Sequence, residues 1–282
     1  MGSVAHHGHA PEDVSPAGAL VLFGSGPVLG AHVAAMFAQK GFHKIVLLSR
    51  NLARLQEDAA FVRQAAPQTI VETVTVDLAD VDSVRAAIGE VEARLHGTPL
   101  ELVIYNAART VLTQMLQLPV HEVQADINIS AGSLYVVAQW AHPLLAVAAE
   151  RPGFRPAILV TGGKGWEDPP PKFFSLATSK GAQRTLSWAM HKAFAPTGVH
   201  VSYISIGGPI NNDVALTQPG YVALEVWKEF AQPRGPGHWE RAMVDPSYAP
   251  YKAQEHAAWH AAVAACPRWR GKQVVMPERH ND

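Results

Sequence analysis

The sequence predicts an α/β fold built on a single doubly wound parallel sheet, with helices on both faces and a C-terminal cap region. The first observation is an alternation of short β-branched runs with longer helical stretches. The runs are Ala19–Phe23, Lys44–Leu48, Val71–Val76, Leu100–Tyr105, Ala157–Thr161 and Val199–Ile204. Apolar residues recur with a helical period at about 28–40, 51–65, 80–96, 121–149 and 173–195. Strands separated by helices imply right-handed crossovers, which cover both faces of a parallel sheet. The second observation is a glycine-rich turn directly after the first run. The third is composition: 282 residues, 48% apolar, suffice for one sizeable core, and no linker divides them.

The first strand runs into FGSGPVLG, residues 23–30, and then a helix. Gly24, Gly26 and Gly30 frame Ser25 and Leu29 in a G-x-G-x-x-x-G spacing. A dinucleotide pyrophosphate sits against backbone N–H groups at a helix N-terminus, and a Cβ there would block its approach. A strand before the glycines and a helix after them is the context that points to such a site. At the end of the second strand stand Ser49, Arg50 and Asn51, with no carboxylate to hold ribose hydroxyls. Arg50 offers a guanidinium for a 2′-phosphate, and Ser49 and Asn51 are neutral donors, so NADP(H) is the expected cofactor.

Charge and cysteine content exclude other classes. The 23 Lys+Arg nearly cancel the 24 Asp+Glu and no basic block appears, so no nucleic-acid partner is expected. Apolar runs such as Leu144–Ala149 are far short of a membrane span. The single cysteine, Cys266, rules out an internal disulfide framework and fits a reducing compartment. Residues 1–17 carry no secretory pattern, and His6 stands where a myristoylation motif wants Ser or Thr. They are expected as a disordered leader with His6, His7 and His9, and the cytoplasm is the expected location. Residues 18–212 form the expected nucleotide-binding domain and 213–282 its cap. Helices are expected there near 220–231 and 250–265, with an edge strand at Lys272–Met276. Tyr221, Trp227, Phe230, Trp239 and Trp259 either line an apolar pocket or pack the cap on the sheet. His256 and His260 are four apart on a helix, but no third ligand is evident and no metal is expected.

From the glycine turn onward the sequence resembles the short-chain dehydrogenase/reductase family, whose fold is a Rossmann sheet, over about residues 18–212. Asp77-Leu78 stands where the family's aspartate contacts the adenine ring. Asn106-Ala107-Ala108 resembles the element lining the cofactor floor. Asn128, in DINIS, matches the helix asparagine that holds a water in the family's proton relay. Gly207-Gly208-Pro209-Ile210 resembles the turn whose backbone meets the nicotinamide carboxamide, which places Pro209 and Ile210 at the cofactor. The resemblance also implies a homo-oligomer, dimer or tetramer, paired through helices at about 121–149 and 173–195.

The catalytic segment departs from that pattern. The family pairs Tyr-x-x-x-Lys with a serine about a dozen residues upstream. Here Lys180 is present, Leu176 stands four before it, and the upstream strand ends Thr161-Gly162-Gly163. A positioned proton donor is worth roughly 10²–10⁴-fold in rate, so ordinary carbonyl reduction loses much of its acceleration. An iminium ion needs no such proton: it accepts hydride at carbon and becomes a neutral amine. A polarised alkene tolerates a delayed proton. The loop GGKGWEDPPPKFF, residues 162–174, adds the flat face of Trp166 and the carboxylates Glu167 and Asp168. It reads either as a stiff pocket wall with Asp168 orienting a cation, or as a rigid surface turn.

This combination is similar to the fungal bifunctional reductase/Diels–Alderases of prenylated indole alkaloid biosynthesis, which lack the usual serine–tyrosine pair. The likeness implies a catalytic role for Asp168. The wider family pattern keeps Asn128 and Lys180 among the catalytic residues, with the Lys180 ammonium also binding the cofactor through the nicotinamide ribose hydroxyls. The likeness places Trp166, Arg109 and Leu176 toward a small, largely apolar substrate of a biosynthetic pathway. Two rival readings remain: a non-redox cyclase with NADP as a structural element, and an NADP-binding sensor or scaffold that does no chemistry.

Overall fold

The computed structural model describes residues 14–233 and 238–267. Two compact units divide at residue 244, Met1–Val244 and Asp245–Asp282. The expected leader falls largely on residues outside those described, as does the edge strand expected at Lys272–Met276.

The first unit is one parallel sheet of seven strands in the order β3-β2-β1-β4-β5-β6-β7. The strands are β1 (Ala19–Phe23), β2 (Lys44–Ser49), β3 (Ile70–Thr75), β4 (Leu100–Tyr105), β5 (Ala157–Gly163), β6 (His200–Gly207) and β7 (Glu240–Val244). The helices α1 (Gly30–Gln39), α2 (Leu52–Ala65) and α7 (Pro219–Ala231) cover one face. The other carries α3 (Val81–Leu95), α5 (Ser133–Ala149) and α6 (Phe174–Phe194), with α4 (Val120–Ile127) leading into α5. Alternation along each strand supplies both cores: Leu20 and Leu22 of β1 face α1, while Val21 and Phe23 face the opposite layer.

Two departures from the expected elements have physical causes. The stretch expected as one helix at 121–149 contains a π-turn at Asn128–Gly132, whose first residue donates its side-chain amide to the Ala79 carbonyl at 3.1 Å. The seventh strand, beside β6 in register Tyr203↔Glu240 to Gly207↔Val244, escaped the sequence reading. Its charges hide it: Glu240 binds Arg184 and Arg241 binds Glu225, as suits an edge strand. The crossover into it is α7, whose Trp227 and Phe230 rings lie 5.3 and 5.7 Å from Phe37. These two aromatics are therefore core, and β7 completes the sheet.

In the second unit the Asp245 carboxylate accepts the Ser247 amide at 2.7 Å, ahead of α8 (Tyr248–Ala265). Among the described residues, no helix is long and apolar enough to cross a membrane.

Candidate active site

The strand order reverses between β1 and β4, and loops leaving the carboxyl ends of these strands and β2 and β3 border a cleft of about 320 Å³. Three glycines shape its first wall for different reasons. Gly24 has φ +88°, and a Cβ on it would lie 2.7 Å from the Ala107 nitrogen. A Cβ on Gly30 would lie 2.8 Å from Ser25 Cα, so its absence lets α1 start against the turn. A Cβ on Gly26 would meet nothing within 4 Å, because that backbone borders the open cleft. The N-cap of α1 is Leu29, which makes no side-chain cap hydrogen bond and buries its own side chain in the core. First-turn N–H groups without a side-chain cap, beside a backbone left bare by glycine, fit a bound pyrophosphate.

The Ser25 hydroxyl does not face that cleft contact freely. It donates to Asp58 Oδ2 at 2.7 Å. Asp58 is buried on α2, and burial raises its carboxyl above the usual range against the opposing pull of Ser25 and Arg54. Further along, Ser49, Arg50, Asn51 and Arg54 line the cleft, then Asp77 and Leu78. Asn51 caps α2 by accepting the Arg54 amide at 3.1 Å. The Asp77 carboxylate accepts the Ala79 amide at 3.0 Å, fixing the turn after β3.

The floor is a hydrogen-bonded lattice across four elements. Asn106 donates its side-chain amide to the Gly24 carbonyl at 2.9 Å and accepts the Thr161 hydroxyl at 2.6 Å. Lys180 Nζ, on α6, donates to Ala107 O at 2.9 Å, Thr161 O at 3.3 Å and Gln183 Oε1 at 2.7 Å. All three ammonium donors thus meet neutral acceptors, and burial pushes the Lys180 ammonium down to about 7. Ala107 and Ala108 line the cleft above this lattice.

The remaining expected site residues stand outside the cleft lining. Leu176, one helical turn before Lys180, is half-buried. Asn128 is occupied with Ala79 O. Arg109 is spent within the chain: it donates to Asp126 at 2.6 and 3.1 Å and to Glu122 at 2.7 Å. These partners hold its guanidinium well above its ordinary value. Ser175, at the start of α6, donates to the same buried Asp126 at 2.6 Å. Arg109 therefore ties the β4 loop to α4, with its charge neutralised. Pro209 accepts the Thr217 hydroxyl at 2.6 Å, and Ile210 packs against the core beneath α1 and α7.

In the loop after β5, Glu167 pairs with Lys164, and Asp168 is half-buried. The Arg184 guanidinium lies 4.0 Å from the Trp166 ring centre and 4.7 Å from that of Trp239. Glu240 anchors it from β7 at 2.6 Å. Trp166 is thus half of a cation sandwich. Thr113 joins this loop to the one after β4, donating its amide to Lys172 O at 2.8 Å.

The sequence reading missed Arg54, Asp58, Gln183, Arg184 and Tyr203. Arg54 was open to discovery by its spacing, four residues after Arg50. Asp58 falls among the buried positions Leu55, Ala59 and Val62 of α2, a polar interruption that signals a buried partner. Tyr203 sits on the core face of a strand and gives no polar signal.

A cleft at the switch point of a parallel sheet is where α/β folds of the dinucleotide-binding class hold their ligand. The chain belongs to the short chain dehydrogenase family, whose model matches residues 19–218, and it is an oxidoreductase of that type. It is 24% identical over 213 residues to an uncharacterized oxidoreductase of Schizosaccharomyces pombe, covering 74% of this chain and 75% of that one. Among solved structures it resembles a short-chain dehydrogenase from Rhodopseudomonas palustris. That likeness has a TM-score of 0.67 and 21% identity, over 80% of this chain and 97% of that one. It also resembles a metagenomic short-chain oxidoreductase in complex with NADP. There the TM-score is 0.69 and the identity 18%, over 82% of this chain and 97% of that one.

Proposed function

We propose that this chain is an NADP(H)-dependent reductase with an atypical site, acting on a small, largely apolar metabolite of a biosynthetic pathway. Its hydride acceptor is an iminium or an activated C=C bond, with cyclisation of the substrate coupled to reduction. The observation that carries the reading is Leu176, an aliphatic side chain one turn before Lys180, where the family places its phenolic acid.

In this reading the backbone at Gly24, Gly26 and Gly30 receives the pyrophosphate, and Arg50 the 2′-phosphate. Asp77 and Leu78 hold the adenine, Asn106, Ala107 and Ala108 form the floor, and Pro209 and Ile210 border the carboxamide. When bound, NADPH supplies hydride from its nicotinamide ring. Lys180 braces the floor through Ala107 and Thr161 rather than delivering a proton through a tyrosine. Trp166, fixed by Arg184, offers a flat face to the substrate, and Asp168 stabilises positive charge on it. The family's oligomer, paired through the α4–α5 and α6 layers, is part of the proposal.

A non-redox cyclase is the second reading. It is favoured by the Lys180 ammonium, whose donors are spent on protein oxygens as expected if the nucleotide is structural. The test is to incubate the purified chain and NADPH with a cyclic iminium salt and the matched ketone. Stoichiometric NADPH loss with the iminium, far exceeding that with the ketone, supports the reductase. Product without NADPH loss selects the cyclase, and tight NADPH binding without turnover on any substrate selects a sensor.

A further inference from the structure

Behind the floor of the cleft lies a buried side chain that the proposed chemistry does not use. Gln183, one turn after Lys180 on α6, is fully buried. Its Oε1 accepts from Lys180 Nζ at 2.7 Å, the shortest of the three ammonium contacts. Its Nε2 is buried and, among the described residues, has no hydrogen-bond partner. The ammonium dictates this orientation, because turning the amide over would set donors against donors. An amide held with its own donors idle costs stability, and the carbonyl supplies the reason.

That carbonyl completes the lysine's contacts. An ammonium has three donors, and Ala107 O, Thr161 O and Gln183 Oε1 accept all three. The first two are backbone oxygens fixed by the sheet and its loops; only the third belongs to a side chain. Lys180 is 7% exposed and does not line the cleft, whereas Ala107 does. A ribose hydroxyl arriving over Ala107 therefore meets an ammonium with no donor to give until the Gln183 contact breaks. We infer that Gln183 is a positioning residue that competes with the nicotinamide ribose for the Lys180 ammonium and so weakens the nicotinamide half of the cofactor. This rests on the NADP(H) reading of the cleft. A reductase must release its spent cofactor in every turnover, and a lysine retained by the chain speeds that release.

The test is calorimetric titration of the full chain with NADPH and with adenosine 2′,5′-bisphosphate, which lacks the nicotinamide ribose. Gln183→Met removes the carbonyl and frees one ammonium donor. It should tighten NADPH about 10-fold and leave the bisphosphate within about two-fold. Gln183→Glu keeps an acceptor on the ammonium and should show no gain. Adding Lys180→Met to Gln183→Met should abolish the gain, which a packing effect of the methionine at 183 would survive. Gln183→Leu is the parallel variant, and melting temperatures show which of the two folds. If NADPH binds no tighter to the folded variant, the assignment of Gln183 is overturned while the cofactor reading stands. If the wild type binds neither nucleotide, the cofactor reading fails and the competition with it.

Discussion

A Cβ on Gly162 would lie 1.8 Å from the hydroxyl oxygen of Tyr203. The phenol of β6 therefore fills the volume that a side chain near the end of β5 would need. Tyr203 is fully buried, and burial raises its phenol further above neutrality. The adjacent Gly163 is different: its Cβ would meet only Ile206 O, at an ordinary 3.7 Å.

Those two glycines give opposite stability outcomes. Gly162→Ser forces Tyr203 aside and costs about 1–3 kcal/mol, whereas Gly163→Ser stays within about 0.5 kcal/mol of wild type. Urea midpoints measure both. Equal midpoints for the two variants would contradict the placement of the Tyr203 phenol.

Restoring the absent phenol tests the catalytic reading. Leu176→Tyr places a tyrosine one turn before Lys180 on α6, and Gly163→Ser adds a hydroxyl where the structure has room for one. The double variant should reduce simple ketones about 10²-fold faster than wild type. No gain in NADPH-dependent ketone turnover would mean that the loop carrying Trp166 and Asp168 has been rebuilt beyond recovery by a proton donor.

Lys180 makes stability pH-dependent with a defined sign. Its folded ammonium titrates at about 7, below the ordinary lysine value, so between there and about pH 10 the unfolded chain binds more protons. Stability contributed by this group rises with pH across that window, by up to about 1.4 kcal/mol per unit, and the penalty is fully present below it. Lys180→Met removes the slope and leaves Ala107 O, Thr161 O and Gln183 Oε1 without their donor, costing about 1–3 kcal/mol. Parallel pH-dependent urea titrations of wild type and variant should therefore diverge in slope above neutrality; superimposable slopes would rule out the depressed ammonium.

The pair Arg109–Asp126 should prove structural. Asp126 is 3% exposed, so Arg109→Met strands a buried carboxylate and destabilises the chain by about 3–5 kcal/mol. Adding Asp126→Asn should recover part of that loss, as a double-mutant cycle would register. A large fall in substrate affinity with unchanged stability would instead place the guanidinium at the substrate.

The alternation of β-branched runs with helical periods determined the sheet, six of its strands and the glycine turn, because burial on both faces and a close backbone approach leave direct marks on residue type. Arg50, Asp77 and Asn106 were legible for the same reason: each stands within two residues of a strand's end, where the fold delivers a side chain to the cleft. What the tertiary structure decided is which groups remain available there. Asp58 reaching back to Ser25, Arg109 disappearing into Asp126, Lys180 saturated by three oxygens and Tyr203 filling the space over Gly162 are contacts between residues far apart in the chain. β7 was hidden likewise, its charges satisfied by Arg184, Glu225 and Glu229 on other elements. Residue type sets what a side chain can bind, but only folding sets which partner reaches it first.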